Sequence, residues 1–295
     1  MMTDGGTRAG GDARGPGGEA EGGPGRGSGD GPGRGSGDGA DAGVWLPPSI
    51  EAAWGLRERP GKGPKPGIGV DRIVEAALAL GRAEGLAAVS MGRVAKELGV
   101  STMSLYRYVG AKDELYILMQ DVAIGLPPEA PAPGTGWREA LEAWARAQRE
   151  VFHRNLWMLR IPISGPPATP NSVAWWDLGL AAMADTALDE GEKISVILLL
   201  GGFVRNEALL MADLGAAVAA SGRSAEEVMR GYGRTLSRLA DRDRYPSLAK
   251  LLDSRVLYEP DDPDWEFEFG LDRLLDGVAV LVDRRAAASG RDPAD

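Results

Sequence analysis

The chain has 295 residues, with 33 lysines and arginines, 43 aspartates and glutamates, one histidine and no cysteine. The lack of cysteine excludes disulfides, thiolate zinc sites and cysteine nucleophiles, and the single histidine excludes a metal site built on two imidazoles. The longest apolar run, Ile194 to Val204, has 11 residues, whereas a membrane span needs about 20. We therefore expect a cytoplasmic protein with no membrane segment, metal or cofactor.

The net charge of −10 is unevenly distributed. Residues 1 to 56 carry 4 basic and 8 acidic groups, and residues 57 to 112 carry 10 basic and 5 acidic groups. Residues 113 to 295 carry 19 basic and 30 acidic groups. Phosphate binding depends on the charge within a Debye length of about 8 to 10 Å. The basic segment at 57 to 112 is therefore compatible with nucleic-acid binding, although the whole chain is acidic.

The first 43 residues form a leader in which 18 positions are glycine, and the octapeptide GPGRGSGD at 23 to 30 is repeated at 31 to 38. Such a segment has no apolar surface to offset its ordering entropy, so we expect it to be disordered. Residues 44 to 67 combine a short apolar segment with a basic arm. Lys62 and Lys65 of this arm are candidates for DNA contacts.

From Val70 onward the apolar spacing is helical, and no convincing alternating strand occurs. The predicted helices are Asp71 to Glu84, Met91 to Leu98, Thr102 to Val109, Lys112 to Ile124, Trp137 to Arg154, Val173 to Leu188, Lys193 to Leu214, Ala225 to Asp241, Ser247 to Asp253 and Trp265 to Ala287. A proline-rich connector at 125 to 136 predicts a boundary between one domain at 68 to 124 and another at 137 to 295.

The first of these domains contains a helix-turn-helix pattern. Gly99 can end one helix and Ser101 can begin the next, which leaves a turn of three or four residues. Leu105 and Val109 can anchor the second helix to the core. The residues on its other faces can reach base edges and phosphates, and they are Thr102, Met103, Ser104, Tyr106, Arg107 and Tyr108.

Two residues beside this helix are further candidates for DNA contact. Ser90 can cap the helix that precedes the turn, and Lys112 begins the helix that follows it. An ordinary helical core with solvated polar residues is the alternative interpretation of the same spacing.

The segment from Ile73 to Met119 resembles the tetracycline-repressor (TetR) family, most specifically in LGV at 98 to 100, SLYRYV at 104 to 109 and Lys112. A weaker likeness to the family's C-terminal domain runs through WREAL at 137 to 141 and FEFGLDRLLDG at 267 to 277. The resemblance implies an all-α homodimer with a three-helix helix-turn-helix domain that binds a palindromic operator. It also implies a larger helical domain that dimerises and binds a small organic effector.

By position, the resemblance implies base contacts for Thr102, Met103 and Tyr106, and phosphate contacts for Ser104, Tyr108 and Lys112. The chain departs from the family pattern at three glycines. Gly69 replaces a frequent capping residue, Gly81 lies inside the first helix, and Gly92 replaces a commonly polar or basic residue. The last departure puts one phosphate contact of the second helix in doubt.

In the larger domain, apolar stripes run along Lys193 to Leu214 and Trp265 to Ala287. The resemblance places these two helices in a four-helix dimer interface, with an intramolecular core as the alternative. The candidates for effector contact combine aromatic walls with a few polar groups, and they are Trp144, His153, Trp157, Trp175, Trp176, Phe203, Asn206 and Glu207.

The leading functional interpretation is a DNA-binding transcriptional repressor that a small molecule releases from its operator. One alternative is an enzyme in which His153 acts as general base beside Asp177, Asp185 or Glu207. Another is a dimeric helical sensor or interaction module with lost or weak DNA binding.

Overall fold

The computed structural model describes residues 47–56, 68–163, 165–254, 256, 262 and 264–290. These residues form helices joined by turns, with no strand among them. The all-α prediction is confirmed for this part of the chain. The leader at 1 to 43 and the basic arm with Lys62 and Lys65 lie outside the described residues.

The helices are as follows in chain order: α1 Pro48–Ala53, α2 Val70–Glu84, α3 Met91–Glu97, α4 Thr102–Tyr106, α5 Lys112–Ile124, α6 Trp137–Arg154, α7 Pro170–Ala181, α8 Glu190–Ser221, α9 Ala225–Leu239, α10 Pro246–Asp253 and α11 Trp265–Ser289. Short 3-10 helices cover Leu86–Ala88 and Leu156–Arg160.

The predicted bounds of α4 and α7 were wrong by three or more residues. Helix α4 ends at Tyr106 rather than Val109, because Arg107 closes it and the chain then turns. Helix α7 begins at Pro170, a residue compatible with the first helical position, and ends at Ala181 rather than Leu188. Residues 182 to 186 instead form turns, in which the Thr186 hydroxyl donates to the Met183 carbonyl at 2.7 Å.

Helix α8 is longer than the predicted Lys193 to Leu214. A capping box between Asp189 and Glu192 satisfies the first backbone N–H groups, and Gly222 ends the helix with a φ of 67°, which glycine adopts without strain. About two further turns follow the last predicted residue, because the segment after Leu214 is rich in alanine, the best helix former.

The N-terminal bundle consists of α2 to α5 and is closed by α1. Ile73 of α2, Val94 of α3 and Leu105 of α4 are fully buried at its centre. Helix α1 packs on α5 through the buried Ile50. The indole of Trp54, just after α1, donates at 2.7 Å to the carbonyl of Ala168 in the loop before α7.

Helices α6, α7, α8 and α11 form the core of the C-terminal domain. The buried indole of Trp144 donates at 2.9 Å to the Trp175 carbonyl, which joins α6 to α7. Helices α8 and α11 run antiparallel, since the guanidinium of Arg285 meets Glu192 at 2.7 Å and Phe203 lies against Gly270. Helices α9 and α10 pack on each other, and α9 also contacts α8.

The connector at 125 to 136 contains no helix. It does not separate two independent bodies, because α5 packs on both α6 and α7 and residues from 47 onward belong to one compact unit. The two predicted domains therefore share a packed boundary, and a cavity lies at this boundary.

Helix α8 is long and apolar enough to cross a membrane by length and composition, with a mean hydropathy of 1.7 over an 18-residue window. The 11-residue run from Ile194 to Val204 therefore underestimated the length of the apolar stretch in this helix. One third of this window is buried within the described residues. The helix packs on α6 and α11, and its buried Glu207 pairs with Arg149 at 3.1 Å.

Candidate functional site

The turn between α3 and α4 is held by side-chain caps at both helix starts. The Ser90 hydroxyl accepts from the Arg93 amide at 3.2 Å, and the Ser101 hydroxyl accepts from the Ser104 amide at 3.2 Å. Gly99 lies between the helices with a φ of 69°, a conformation that strains other residues. These caps fix the direction in which α4 leaves the bundle.

Helix α4 is anchored from beneath, as the sequence predicted, because Leu105 and Val109 are both fully buried. Met103 has 76% of its surface exposed, and Tyr106 is 47% exposed. Arg107 and Tyr108 are also exposed. The short helix thus presents a thioether, a phenol and a guanidinium on a rigid base.

The remaining residues predicted to contact DNA differ in their solvent exposure. Thr102 and Ser104 are half-buried, and the Ser104 hydroxyl lies 2.9 Å from the Ser101 hydroxyl. Ser90 is half-buried in its capping role, which leaves its own O–H free to donate. Lys112 is exposed, with Nζ 5.0 Å from the centre of the Tyr116 ring.

A cavity of about 650 Å³ lies at the boundary between the N-terminal bundle and the C-terminal domain. It is lined by Arg82, Ala123, Ile124, Leu126, Pro128, Ala147, Glu150, Val151, Arg154, Asn155 and Trp175. Of the eight predicted effector contacts, Trp175 alone is among these residues. Its indole donates at 2.9 Å to the Gly125 carbonyl, and this hydrogen bond fixes the position of the ring beside the cavity.

The other aromatic candidates lie in the packed interior. Trp144 and Trp157 are buried, while Trp176 and Phe203 are half-buried. Phe203 stacks on Phe267 with ring centres 5.7 Å apart. These side chains do not line the cavity.

The polar candidates lie elsewhere. Asn206 is exposed on α8, on the same face as Leu199 and Leu210. His153 lines a smaller cavity of about 280 Å³ together with Arg146, Arg149, Glu150, Asp264, Phe267 and Glu268. Glu207 is buried beside this second cavity, where Arg149 donates to both of its carboxylate oxygens at 3.1 Å.

The second cavity is dominated by ion pairs that join α6 to α8 and α11. Arg149 also meets Asp264 at 2.6 Å, and Arg146 binds Glu268 through two hydrogen bonds of 3.0 and 2.8 Å. The hydrogen bond from Arg146 holds the pKa of Glu268 below its ordinary value, against the opposing effect of partial burial. The charges in this cavity are therefore mutually satisfied.

The geometry gives little support to a catalytic His153. Its Nε2 lies 3.9 Å from Glu207, whose carboxylate already binds Arg149. Asp177 and Asp185 are exposed and make no ion pair with His153 within the described residues. Across the same part of the chain, no group of three His, Cys, Asp or Glu side chains could hold a metal ion.

Four residues that were not among the predicted effector contacts give the larger cavity its polarity, namely Arg82, Glu150, Arg154 and Asn155. Arg82 lies in the last turn of α2, and Arg154 is the last residue of α6. A cation at a helix C-terminus is ordinarily explained by the helix dipole. For that reason their spacing carried no signal that they meet at one cavity.

The apolar stripes of α8 and α11 lie largely inside the chain's own core. Val204, Ala208, Leu271 and Leu275 are fully buried within the chain itself, so much of the predicted dimer interface is intramolecular core. A different face of the pair remains uncovered. It consists of Leu198, Leu199, Gly202, Asn206 and Leu210 on α8 with Gly277 and Val280 on α11.

A capped helix-turn-helix unit with an exposed second helix, packed against a helical domain with a cavity at the boundary, defines a ligand-responsive class of DNA-binding regulator. The sequence profile described as "Bacterial regulatory proteins, tetR family" matches residues 73–119, and "Tetracyclin repressor-like, C-terminal domain" matches residues 130–282. The chain belongs to the TetR family and is a DNA-binding transcriptional regulator. Members of this family are generally not enzymes.

One relative is the HTH-type transcriptional repressor DrrR1 of Streptomyces coeruleorubidus, 38% identical over 82% of this chain and 88% of the relative. The crystal structure of Streptomyces coelicolor ActR in complex with actinorhodin has a TM-score of 0.61 at 28% identity, covering 73% of this chain and 98% of that one. The crystal structure of ActR in complex with (S)-DNPA has a TM-score of 0.59 at 29% identity, covering 73% of this chain and 98% of that one.

Proposed function

We propose that this protein is a dimeric transcriptional repressor that binds a palindromic operator through α4 and leaves it when a small organic molecule binds. The observation that carries the DNA-binding part is the pairing of the buried anchors Leu105 and Val109 with the exposed Met103 and Tyr106. A helix fixed in this way can be inserted into a major groove about 12 Å wide without losing its core contacts.

The side chains around α4 divide into two groups. Thr102, Met103 and Tyr106 on its exposed half contact bases, while Ser104, Arg107, Tyr108, Lys112 and the capping Ser90 contact the phosphate backbone. Lys62 and Lys65 add phosphate or minor-groove contacts ahead of α2. Phosphate contacts position the protein, and base contacts give it sequence preference.

The proposed dimer uses the uncovered face of α8 and α11. Leu198 is 58% exposed, Leu199 is 49% exposed and Val280 is 48% exposed. The antiparallel contacts of the two helices place Leu198 and Val280 at a similar level, beside Gly202 and Gly277, which permit close approach of a second helix pair. Burial of this face gives a four-helix interface around a two-fold axis.

The effector site is the larger cavity at the domain boundary. Its volume of about 650 Å³ lies within the range of roughly 300 to 1,000 Å³ that is usual for small-molecule sites. The ligand-bound structures of ActR support an organic effector, and the name of DrrR1 supports repression as the output. A cytoplasmic location follows for a regulator that acts on operator DNA.

Selection of binding sites from random duplex DNA by the full chain tests this function. The expected consensus is an inverted repeat whose half-site centres lie about 34 to 36 Å apart, or a small multiple of that distance. Affinity for the selected site should fall steeply between 50 and 200 mM salt. A protein that enriches no sequence and shows no salt-dependent binding is instead the helical sensor or interaction module.

A further inference from the structure

The larger cavity is lined by residues of both the N-terminal bundle and the C-terminal domain. Of its two cationic side chains, Arg82 belongs to the bundle and Arg154 to the domain. We propose that it binds an aromatic molecule with an anionic group, a carboxylate or a sulfonate, and that Arg82 and Arg154 hold the anion between them. The regulatory consequence rests on the proposed repressor function, whereas the ligand chemistry does not.

The walls of the cavity favour an aromatic ring system. Ala123, Ile124 and Leu126 line one part of it, and Ala147 and Val151 of α6 line another. Trp175 is only 2% exposed, so it contributes part of one wall, and its hydrogen bond to the Gly125 carbonyl keeps it in place. Apolar walls of this kind stabilise a ring system by burying its surface.

The charged lining favours an anion. Arg82, Arg154 and Glu150 are its charged residues, so the cavity has a net positive charge within a protein of net charge −10. Arg82 makes no ion pair with any carboxylate of the described residues. Arg154 meets Glu150 at 3.6 Å, but both side chains are about two-thirds exposed, at 64% and 68%. Such a pair contributes little, which leaves the guanidinium available to a ligand.

A guanidinium matches a carboxylate or sulfonate closely because it presents planar, paired N–H donors. Arg82 lies in the last turn of α2, within the helix-turn-helix bundle, whereas Arg154 ends α6 of the C-terminal domain. An anion bound by both residues therefore links the two parts directly. Any difference in their relative position between the free and operator-bound proteins would change the affinity for the anion, and DNA affinity would change by the same factor.

The test uses a matched pair of fluorescent probes. 8-Anilinonaphthalene-1-sulfonate carries an aromatic ring system and a sulfonate, and N-phenyl-1-naphthylamine has the same rings without the charge. We expect the sulfonate to bind the unmutated protein more tightly than the neutral probe. Arg82→Gln and Arg154→Gln should each weaken sulfonate binding by about three- to tenfold and leave neutral-probe binding unchanged.

Two controls separate this role from a structural one. Arg82→Lys keeps the charge and should recover part of the lost affinity. Arg238→Gln removes an exposed arginine from the last turn of α9, away from both cavities, and should leave the binding of both probes unchanged. Equal sulfonate affinity in Arg82→Gln, Arg154→Gln and the unmutated protein would overturn the proposal, as would equal losses for the charged and neutral probes.

The link to DNA is measured separately, on the duplex that the unmutated protein selects. The sulfonate concentration that releases half of the bound DNA should rise in Arg82→Gln by the same factor as the probe dissociation constant. Release of DNA at an unchanged concentration would contradict the link. If the unmutated protein binds no DNA, the proposed repressor function fails, and the probe titrations still decide the ligand chemistry.

Discussion

Asp121 and Asn171, which lie 50 residues apart in the sequence, form a reciprocal pair between α5 and α7. The buried carboxylate of Asp121 accepts from the backbone amide of Asn171 at 3.0 Å, and the Asn171 side-chain amide donates to the Asp121 carbonyl at 2.9 Å. The same carboxylate oxygen accepts from the Ser172 amide at 3.1 Å. Because the N-cap residue Thr169 provides no side-chain cap, Asp121 caps α7 from the neighbouring bundle.

Replacement of this cap should destabilise the whole protein. Asp121→Ala leaves the amides of Asn171 and Ser172 without an acceptor, and we expect a loss of about 1 to 3 kcal/mol in the free energy of unfolding. Asp121→Asn retains an acceptor oxygen and should lose less. Urea unfolding followed by circular dichroism measures both, with the exposed Asp185→Ala as control. Identical losses in the alanine and asparagine variants would contradict the capping role.

The sequence predicted the helix-turn-helix unit well because its determinants are local. The apolar spacing identifies Leu105 of α4 and Val109 just after it as buried, and Gly99 and Ser101 mark a turn only a few residues long. Each of these signals involves residues within one or two helical turns. The same local logic predicted the exact bounds of α5 and α6.

Features that depend on distant contacts were not predictable in this way. The cap from Asp121 and the meeting of Arg82 with Arg154 depend on how α2, α5, α6 and α7 pack. The stripe through Leu271 and Leu275 showed that one face of α11 is apolar, but spacing does not say whether that face meets its own chain or a second copy. The structure assigns it to the chain's own core.

Gly179 marks a close approach between α7 and its neighbours. A Cβ atom at this position would lie 2.5 Å from Ile197 Cδ1 and 3.2 Å from the Trp144 indole. We expect Gly179→Ala to reduce the free energy of unfolding by about 1 to 3 kcal/mol, because the added methyl group would overpack the core.

Gly231 offers a matched control within α9, since no atom lies within 4 Å of its added Cβ. Gly231→Ala should raise stability by up to about 1 kcal/mol through helix propensity. Thermal unfolding compares the two variants with the unmutated protein. A stabilised Gly179→Ala would show that α7 and α8 are not packed as tightly as described.

The proposed dimer face predicts a disruptive substitution at Leu198. A glutamate there would place an unpaired charge in the interface, at a cost of about 3 kcal/mol or more, so the dimer dissociation constant should rise by at least about 100-fold. Light scattering at several protein concentrations measures the change. Leu156→Glu, at a 44% exposed position in the 3-10 helix after α6, should leave the oligomeric state unchanged. A stable monomer for the unmutated protein would exclude this interface.

The ion pair between Arg146 and Glu268 predicts a pH-dependent contribution to stability. Because the Arg146 hydrogen bond lowers the pKa of Glu268 in the folded protein, the contribution is present above the unfolded value near 4.5 and disappears as pH falls through the lower folded value. Both side chains are partly exposed, so it should not exceed about 1 kcal/mol. Glu268→Gln should therefore be less stable than the unmutated protein at pH 7, and urea unfolding should show this difference shrinking as the pH is lowered below 4.5.

The exposed half of α4 predicts which substitutions change sequence preference. Met103→Ala should weaken discrimination at one or two operator positions by about 1 to 3 kcal/mol, because its side chain meets base edges or thymine methyl groups. Lys112→Ala should weaken binding to all sequences alike, because a phosphate contact carries no base identity. Selection from random DNA with each variant measures both effects. If Met103→Ala, Thr102→Ala and Tyr106→Phe all return the unmutated consensus with equal sharpness, α4 does not read the operator.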